Sequence, residues 1–217
     1  MNPMPLVLSA VTTLAVLVGV PTAAAAAPPV CLGAPATIAG EGYIEGTPGD
    51  DVIVATDPGS EVHAGPGDDR VCGAFLAYGE RGDDRLRFTG GRSGHLSGGP
   101  GTDRLVWVGT SQNYPELDGG PGPDRILARG SGVEILAGGD GDDLLESGPG
   151  NDYLFGQQGD DVLRGGSGGD EIGGGRGDDR LLAGAGDDNV SGDAGRDRAD
   201  GGPGRDTCSG VERATSC

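Results

Sequence analysis

An apolar side chain returns at every ninth position from Leu145 onward, at Leu145, Leu154, Leu163, Ile172, Leu181 and Val190, and the series closes on the smaller Ala199 and on Cys208. The polar pattern around it is equally fixed. Cut into nines from Gly138, the chain reads GGDGDDLLE, SGPGNDYLF, GQQGDDVLR, GGSGGDEIG, GGRGDDRLL, AGAGDDNVS, GDAGRDRAD and GGPGRDTCS, with Gly at the fourth position and Asp at the sixth of every unit. Positions one to six read as a turn and seven to nine as a minimal strand. Side chains alternate along a strand, so the eighth points away from the seventh and ninth. The eighth positions then line a core, while Arg164, Arg180 and Arg198 face water.

Two such units make one coil, because a strand that turns and returns needs two turns to arrive above its start. Residues eighteen apart then stack at the strand spacing of about 4.8 Å. This sets Asp143, Asp161, Asp179 and Asp197 in one column and Asp152, Asp170, Asp188 and Asp206 in another. Carboxylates about 5 Å apart repel by about 0.8 kcal/mol in bulk water and about 3 kcal/mol at an effective dielectric of 20. Such columns need cations between the rungs. The glycines supply turns with positive φ and let carbonyls approach an ion closely, and calcium takes six to eight oxygens from carboxylates and carbonyls alike. The fifth position is occupied by Asn151, Gly169, Arg196 and Arg205 in four units, so it carries no shared carboxylate role. Asp160 is accordingly expected to leave its side chain in solvent, and its replacement to cost within about 0.5 kcal/mol.

Fixed-period self-similarity marks a repeat architecture, and G-G-x-G-x-D-x-U-x is the pattern of a calcium-binding parallel β-helix. The eight in-phase units resemble the RTX, or haemolysin-type, calcium-binding nonapeptide family. The resemblance implies a parallel β-roll, a calcium-loaded right-handed solenoid in which each sixth-position Asp is shared between the ions above and below it.

Upstream the phrase recurs with a longer stride. GTPGDDVIV starts at Gly46, AGPGDDRVC at Ala64, GERGDDRLR at Gly79, GGPGTDRLV at Gly98 and GGPGPDRIL at Gly119, which gives intervals of 18, 15, 19, 21 and 19 residues up to Gly138. These are near one full coil. The spacers keep an apolar residue two places before the next box, at Val62, Leu96, Leu117 and Leu136, but lack the Gly-Asp turn. One edge of each upstream coil is thus expected to carry ion turns, through Asp51, Asp69, Asp84, Asp103 and Asp124, and the other edge ion-free loops. The register is least defined at the Gly79 box. Residues 28–45 are read as an N-terminal cap, 46–137 as degenerate coils, 138–209 as the regular tract and 210–217 as a C-terminal disulfide cap.

Composition places this solenoid outside the cell. Leu6 to Val20 is an apolar run of signal-peptide length, followed by Pro21 and the small residues Thr22 to Ala27, so residues 1–27 read as a leader; the segment MNPMP before it lacks Lys or Arg, and an uncleaved anchor is the competing reading. Four cysteines in an exported chain favour two disulfides with three connectivities. Pairing neighbours, Cys31 with Cys72 and Cys208 with Cys217, staples each end of the solenoid, where a repeat array needs a cap.

The chain holds 47 glycines, 4% aromatic residues and a net charge of -19. Without calcium it is expected to be disordered. The acidity argues against nucleic acid or anionic lipid as partner, and no membrane contact is expected after leader cleavage. All fifteen basic residues are arginine, and many follow an Asp directly (Arg70, Arg85, Arg104, Arg125, Arg180, Arg198), where a guanidinium can offset it; an Arg-for-Lys codon bias gives the same composition. His63 and His95 lack metal-motif partners, and no nucleophile elbow or phosphate loop is present. The repeats fill nearly the whole of the chain after the leader, so no catalytic domain is expected. The least repetitive patch, Trp107 to Asp118 with Tyr114, is where a recognition surface or a plain loop is expected. The reading is a secreted, non-enzymatic calcium-binding repeat protein with a structural or calcium-buffering role. The alternatives are a cell-surface adhesion or matrix module with an unidentified protein or cell-wall partner, and an atypical secreted hydrolase.

Overall fold

The computed structural model describes residues 27–90, 94–109 and 114–217; the leader read at Leu6–Val20 lies outside them. Every regular element among the described residues is a strand of two to six residues, and no helix there is long and apolar enough to cross a membrane. Consecutive strands fall alternately into two parallel sheets. Sheet I has 11 strands, from Ile38–Gly40 to Arg213–Thr215, and sheet II has 10, from Tyr43–Glu45 to Thr207–Ser209. The chain is therefore a β-solenoid. We call edge A the row of turns that leads into sheet I, and edge B the row that leads into sheet II.

The uneven stride of the upstream boxes is the strand register itself. Val52 pairs with Arg70, Arg70 with Arg85, Arg85 with Arg104, Arg104 with Arg125 and Arg125 with Leu144, which reproduces the intervals 18, 15, 19, 21 and 19, the Gly79 box included. From Leu144 the offset is a constant 18 until Arg198, which pairs with Arg213 after only 15 residues. A shift of one residue would turn the apolar row outward, so the burial pattern fixes this register.

The interior is a ladder one side chain wide. Leu145, Leu154, Leu163, Ile172, Leu181 and Val190 are buried, as are Val62, Leu96, Leu117 and Leu136 upstream. Each buried Leu, Ile or Val contributes roughly 1.5–3 kcal/mol. At edge B the upstream coils add a second inward position: Phe88 and Trp107 stack with ring centroids 4.4 Å apart, and Ala128 lies in register beneath Trp107. Trp107 is 0% exposed. The irregular patch expected around it as a recognition surface thus has its tryptophan in the core, and Tyr114 alone of the two rings is exposed.

Both stretches read as caps also contribute strands. Ile38–Gly40 and Tyr43–Glu45 form the first coil, and an antiparallel hairpin of Val30–Cys31 with Ala34–Pro35 lies against the sheet I strands Val52–Ala55 and Arg70–Cys72. Cys31 is bonded to Cys72 and Cys208 to Cys217, with Cα atoms 5.7 Å apart in each pair. The expected connectivity is the one observed, and it ties the hairpin to the sheet I strand Arg70–Cys72 and the last sheet II strand to the C-terminal residue.

The two sheet faces differ in charge. Arg70, Arg85, Arg104 and Arg125 stand in register on four adjacent strands of sheet I. Among the described residues Arg164 with Glu146 is the one arginine ion pair, so the arginines that follow an Asp do not pair with carboxylates as the sequence suggested. Sheet II carries Glu45, Glu61, Glu116, Asp118 and Glu171 on its strands, together with the exposed rings of Tyr43, Tyr153 and Phe155.

Candidate metal centre

The turn of the unit Gly156–Arg164 shows how the residues make the site. Gln157 and Gly159, at the second and fourth positions, take φ of 80° and 130°. Gly156 takes no such conformation; its glycine is needed for space. A Cβ at Gly156 would fall against Asp161 Oδ2 and the carbonyl oxygen of Gly174 one coil on. The same pair of oxygens closes on Gly79, Gly98, Gly119, Gly138 and Gly165. The first-position glycine therefore leaves a cradle lined by one carboxylate oxygen and one carbonyl.

Within each column the two carboxylate oxygens have different duties. Asp143 N–H donates to Asp161 Oδ1 at 2.8 Å, and Asp161 N–H to Asp179 Oδ1 at 2.9 Å. The pattern runs along edge A from Asp51 to Asp197, which ends on Glu212. It runs along edge B from Glu134 through Asp152, Asp170 and Asp188 to Asp206. The second oxygen is different. Oδ2 of Asp69, Asp84, Asp103, Asp124, Asp143, Asp152, Asp161, Asp170, Asp179, Asp188, Asp197 and Asp206 is buried without a hydrogen-bond partner.

A buried acceptor with no donor costs about 1–3 kcal/mol, more when charged, and twelve of them in two columns require a cation or a proton at each. Burial, with the neighbouring carboxylates adding to it, pushes Asp69, Asp103 and Asp179 up to about 6, Asp84, Asp143, Asp161 and Asp170 to about 7, and Asp124 to about 8. Asp188 and Asp197 are raised by the same causes. Among the described residues no three His, Cys, Asp or Glu side chains converge on one point. An ion here thus draws most of its ligands from backbone carbonyls, the chemistry of a hard oxygen-seeking cation.

Asp51 stands apart from the other twelve sixth-position residues. Its Oδ2 accepts from Thr47 N–H at 2.7 Å and from the Thr47 hydroxyl at 2.8 Å, and its Oδ1 from the Thr37 hydroxyl at 3.0 Å. Burial raises its pKa, but these three donors outweigh burial and hold it below the ordinary carboxylate value. Three donors leave no oxygen in need of an ion, so Asp51 closes the column.

Four residues escaped the sequence reading. Glu134 and Glu212 extend the columns with Glu in the sixth position in place of Asp; each follows Ser-Gly-Val, with Gly132 and Gly210 in the motif's fourth place, and they lie 18 residues before Asp152 and 15 after Asp197. Ser147 puts a hydroxyl where neighbouring units have Gly, and that hydroxyl donates to the Gly165 carbonyl. Asp160 is exposed but not idle: its Oδ1 accepts Asp178 N–H at 2.8 Å. The same bond links Asp50 to Asp68, Asp68 to Asp83, Asp142 to Asp160 and Asp178 to Arg196. This outer ladder runs opposite to the inner one, with the later coil donating to the earlier.

The profile of the RTX calcium-binding nonapeptide repeat matches the chain in four copies, over residues 45–75, 129–163, 137–172 and 173–208, together just over half of its length. The chain belongs to the RTX calcium-binding repeat family. RTX nonapeptides bind calcium ions, and the cradles at Gly79 through Gly165 fit that ion: one orphaned carboxylate oxygen each, carbonyls for the rest, and no side chain of soft-metal type. A comparison with curated proteins found no match. The RTX copies include the upstream turn at Asp51 and Asp69 as well as the regular tract, while the coils between residues 76 and 128 fall outside them.

Proposed function

We propose that the protein is a secreted structural scaffold that folds when calcium fills its two carboxylate columns, with Asp69, Asp84, Asp103, Asp124, Asp143, Asp152, Asp161, Asp170, Asp179, Asp188, Asp197 and Asp206 as the side-chain ligands. The observation that carries this reading is the row of buried Oδ2 atoms with no donor. Calcium, when bound, supplies positive charge along each column and cross-links successive coils. The chain's own part is to hold the ligand geometry. Backbone N–H groups of the preceding coil, from Asp and at Asp152 from Glu134, fix one oxygen of every carboxylate, the first-position glycines keep the cradle open, and the apolar ladder aligns the rungs.

Two disulfides support an oxidising, extracellular compartment, where free calcium is abundant enough for modules that bind at roughly 10⁻⁴–10⁻³ M. A non-enzymatic role is supported by where the histidines lie. His63 Nε2 is 3.0 Å from Glu61 and Nδ1 3.4 Å from Glu80, and its ring stacks on Tyr78, all on the open face of sheet II. Far-UV circular dichroism of residues 28–217 during a calcium titration tests the proposal. Disorder in chelator and a β spectrum with bound calcium measured by equilibrium dialysis are expected; a full β spectrum in excess chelator at neutral pH overturns it.

A further inference from the structure

We infer that the cleft beside the N-terminal hairpin is a binding site for a sulfate or phosphate ester, held by Arg85, Arg87 and Arg104. The cleft has a volume of about 260 Å³, and Leu32, Leu86 and Val106 complete its lining. It lies on the outer face of sheet I, away from both carboxylate columns, and depends on the calcium reading only for the fold.

Arg85 and Arg104 stand in register on adjacent strands, about 4.8 Å apart, and Arg87 follows Arg85 on the same face, about 6.6 Å along the strand. Like charges placed this way destabilise a sheet. The chain offers no relief, because none of the three makes an ion pair among the described residues. The acidic residues on the strands of sheet I, Glu146 and Asp200, lie beyond Arg125. Asp84 and Asp103, which precede Arg85 and Arg104 in sequence, are buried in the edge A column. The charge is therefore left for an external anion. A flat carboxylate is matched by a single guanidinium fork, whereas three guanidinium groups set around a corner suit an anion whose oxygens point in three directions, as those of sulfate and phosphate do. A nucleic acid fits poorly: Phe88 and Trp107, the aromatic residues on the strands of sheet I, are both buried, so no ring on this face can stack a base.

Leu32 indicates what the oxyanion is attached to. Leu32 and Gly33 form the two-residue loop between Val30–Cys31 and Ala34–Pro35, with φ of 50° and 87°. Hairpin loops with positive φ at both positions favour Asn-Gly, and a leucine in the left-handed region is uncommon. Leu32 holds that place with 42% of its surface exposed. The Cys31–Cys72 disulfide anchors it, since Cys72 is the in-register neighbour of Arg87 on the next strand. A disfavoured backbone state thus keeps an apolar side chain beside three guanidinium groups, and Val106 continues the apolar wall. An inorganic anion gains nothing from that wall. An ester whose oxyanion carries an alkyl or aryl group, or the carbon face of a sugar ring, buries apolar surface against it.

Equilibrium dialysis of the calcium-loaded protein at constant ionic strength, with 4-nitrophenyl sulfate, 4-nitrophenyl phosphate and inorganic sulfate as probes, tests the site. The two esters are expected to bind more tightly than inorganic sulfate. Arg85→Gln with Arg104→Gln should weaken both esters about tenfold or more without raising the calcium midpoint of folding, because it removes two unpaired like charges. Leu32→Asn, which puts the favoured residue into the turn, should retain inorganic sulfate and lose the preference for the esters. Competition by dextran sulfate alone assigns the ester to a sulfated glycan, competition by phosphatidic acid vesicles alone to a lipid headgroup, and competition by neither to a small soluble ester. Equal binding by wild type and the arginine variant means an adventitious ion only and overturns the site. Esters that bind wild type no better than inorganic sulfate, or a Leu32→Asn variant that keeps the preference, overturn the ester assignment. A chain without a β spectrum in calcium fails the earlier proposal instead, and circular dichroism shows that before any anion is added.

Discussion

The two halves of edge B face the same interior and close it with opposite chemistry. In the upstream half the inward positions are Phe88, Trp107 and Ala128, and the residues in register with Glu134 are Pro115, Gly94, Phe75, Ser60 and Gly42, none of them acidic. In the downstream half the same inward row becomes Ser147, Gly165, Ala183 and Gly201, and the turns carry Asp152, Asp170, Asp188 and Asp206. Space at the end of a coil is thus filled by a stacked aromatic pair or by carboxylates with their ions. The apolar filling holds without ligand because its driving force is burial; the carboxylate filling is a site of repulsion until a cation arrives. Edge A carries carboxylates throughout, so under the proposed function the upstream half depends on calcium at one edge and the downstream half at both.

Calcium removal is the widest test of that difference. In chelator the whole chain is expected to lose β structure. On titrating calcium back, hydrogen exchange followed by mass spectrometry should show residues 46–128 protected at lower calcium than residues 138–209. Simultaneous protection would erase the distinction between the halves.

Acid should partly replace calcium. Burial raises Asp69 to about 6, Asp84 and Asp161 to about 7 and Asp124 to about 8, from the ordinary value near 3.9. Between about pH 4 and 8 the ion-free fold therefore binds more protons than the unfolded chain, and its stability falls as pH rises through that window. Chelated protein moved from pH 8 to about pH 4.5 is expected to gain β signal by circular dichroism, with the larger gain in the downstream half. A signal flat across the window would mean that the columns are hydrated in the absence of ions.

Trp107→Ala removes the apolar plug and should cost about 3–5 kcal/mol, the usual penalty for a buried aromatic, measured by urea denaturation in saturating calcium. The calcium midpoint of the downstream half should move far less than that of the upstream half. Smaller effects separate the two Asp of a single turn. Asp161→Ala orphans Asp143 N–H and removes a ligand, at about 1–3 kcal/mol, and raises the calcium needed for folding. Asp160→Ala loses the bond from Asp178 N–H, about 1 kcal/mol, and should leave the calcium midpoint nearly unmoved. Equal midpoint shifts would merge the inner and outer ladders into one function.

What could be read from the chain alone follows from what is local. The boxes are self-contained turns, so their spacing gave the register of every sheet I strand from Val52 to Leu144, and the apolar eighth positions gave the core. Residues whose role depends on the coil above or below were hidden. Glu134 sits in GSGVEILA, with Gly130 and Gly132 in the motif's second and fourth places but Glu where the motif has Asp, so it was passed over although it lies 18 residues before Asp152. Trp107 looked like an irregular loop residue because its partner, Phe88, is 19 positions away in a spacer of different length. Asp160 looked dispensable because its acceptor role can be filled by the Asn151 side chain and left empty by Gly169 without breaking the turn. The arginines looked like counterions because adjacency in sequence was mistaken for proximity, whereas alternation carries each one to the face opposite the core.

The opposed inner and outer ladders bear on how such a chain changes length over evolutionary time. At each edge, every eighteen-residue coil of the regular tract donates once to the coil after it and accepts once from the coil before it on the inner ladder, so it enters and leaves the stack with those bonds matched. Duplicating or deleting one such block, for instance residues 156–173, joins two ends that already fit and leaves the hairpin, the Asp51 closure and the Glu212 terminus untouched. Unequal crossing-over at whole-coil spacing therefore yields foldable proteins of different length, whereas an insertion of one nonapeptide moves every later strand to the wrong sheet. Natural variants of this chain should differ by even numbers of units in the regular tract.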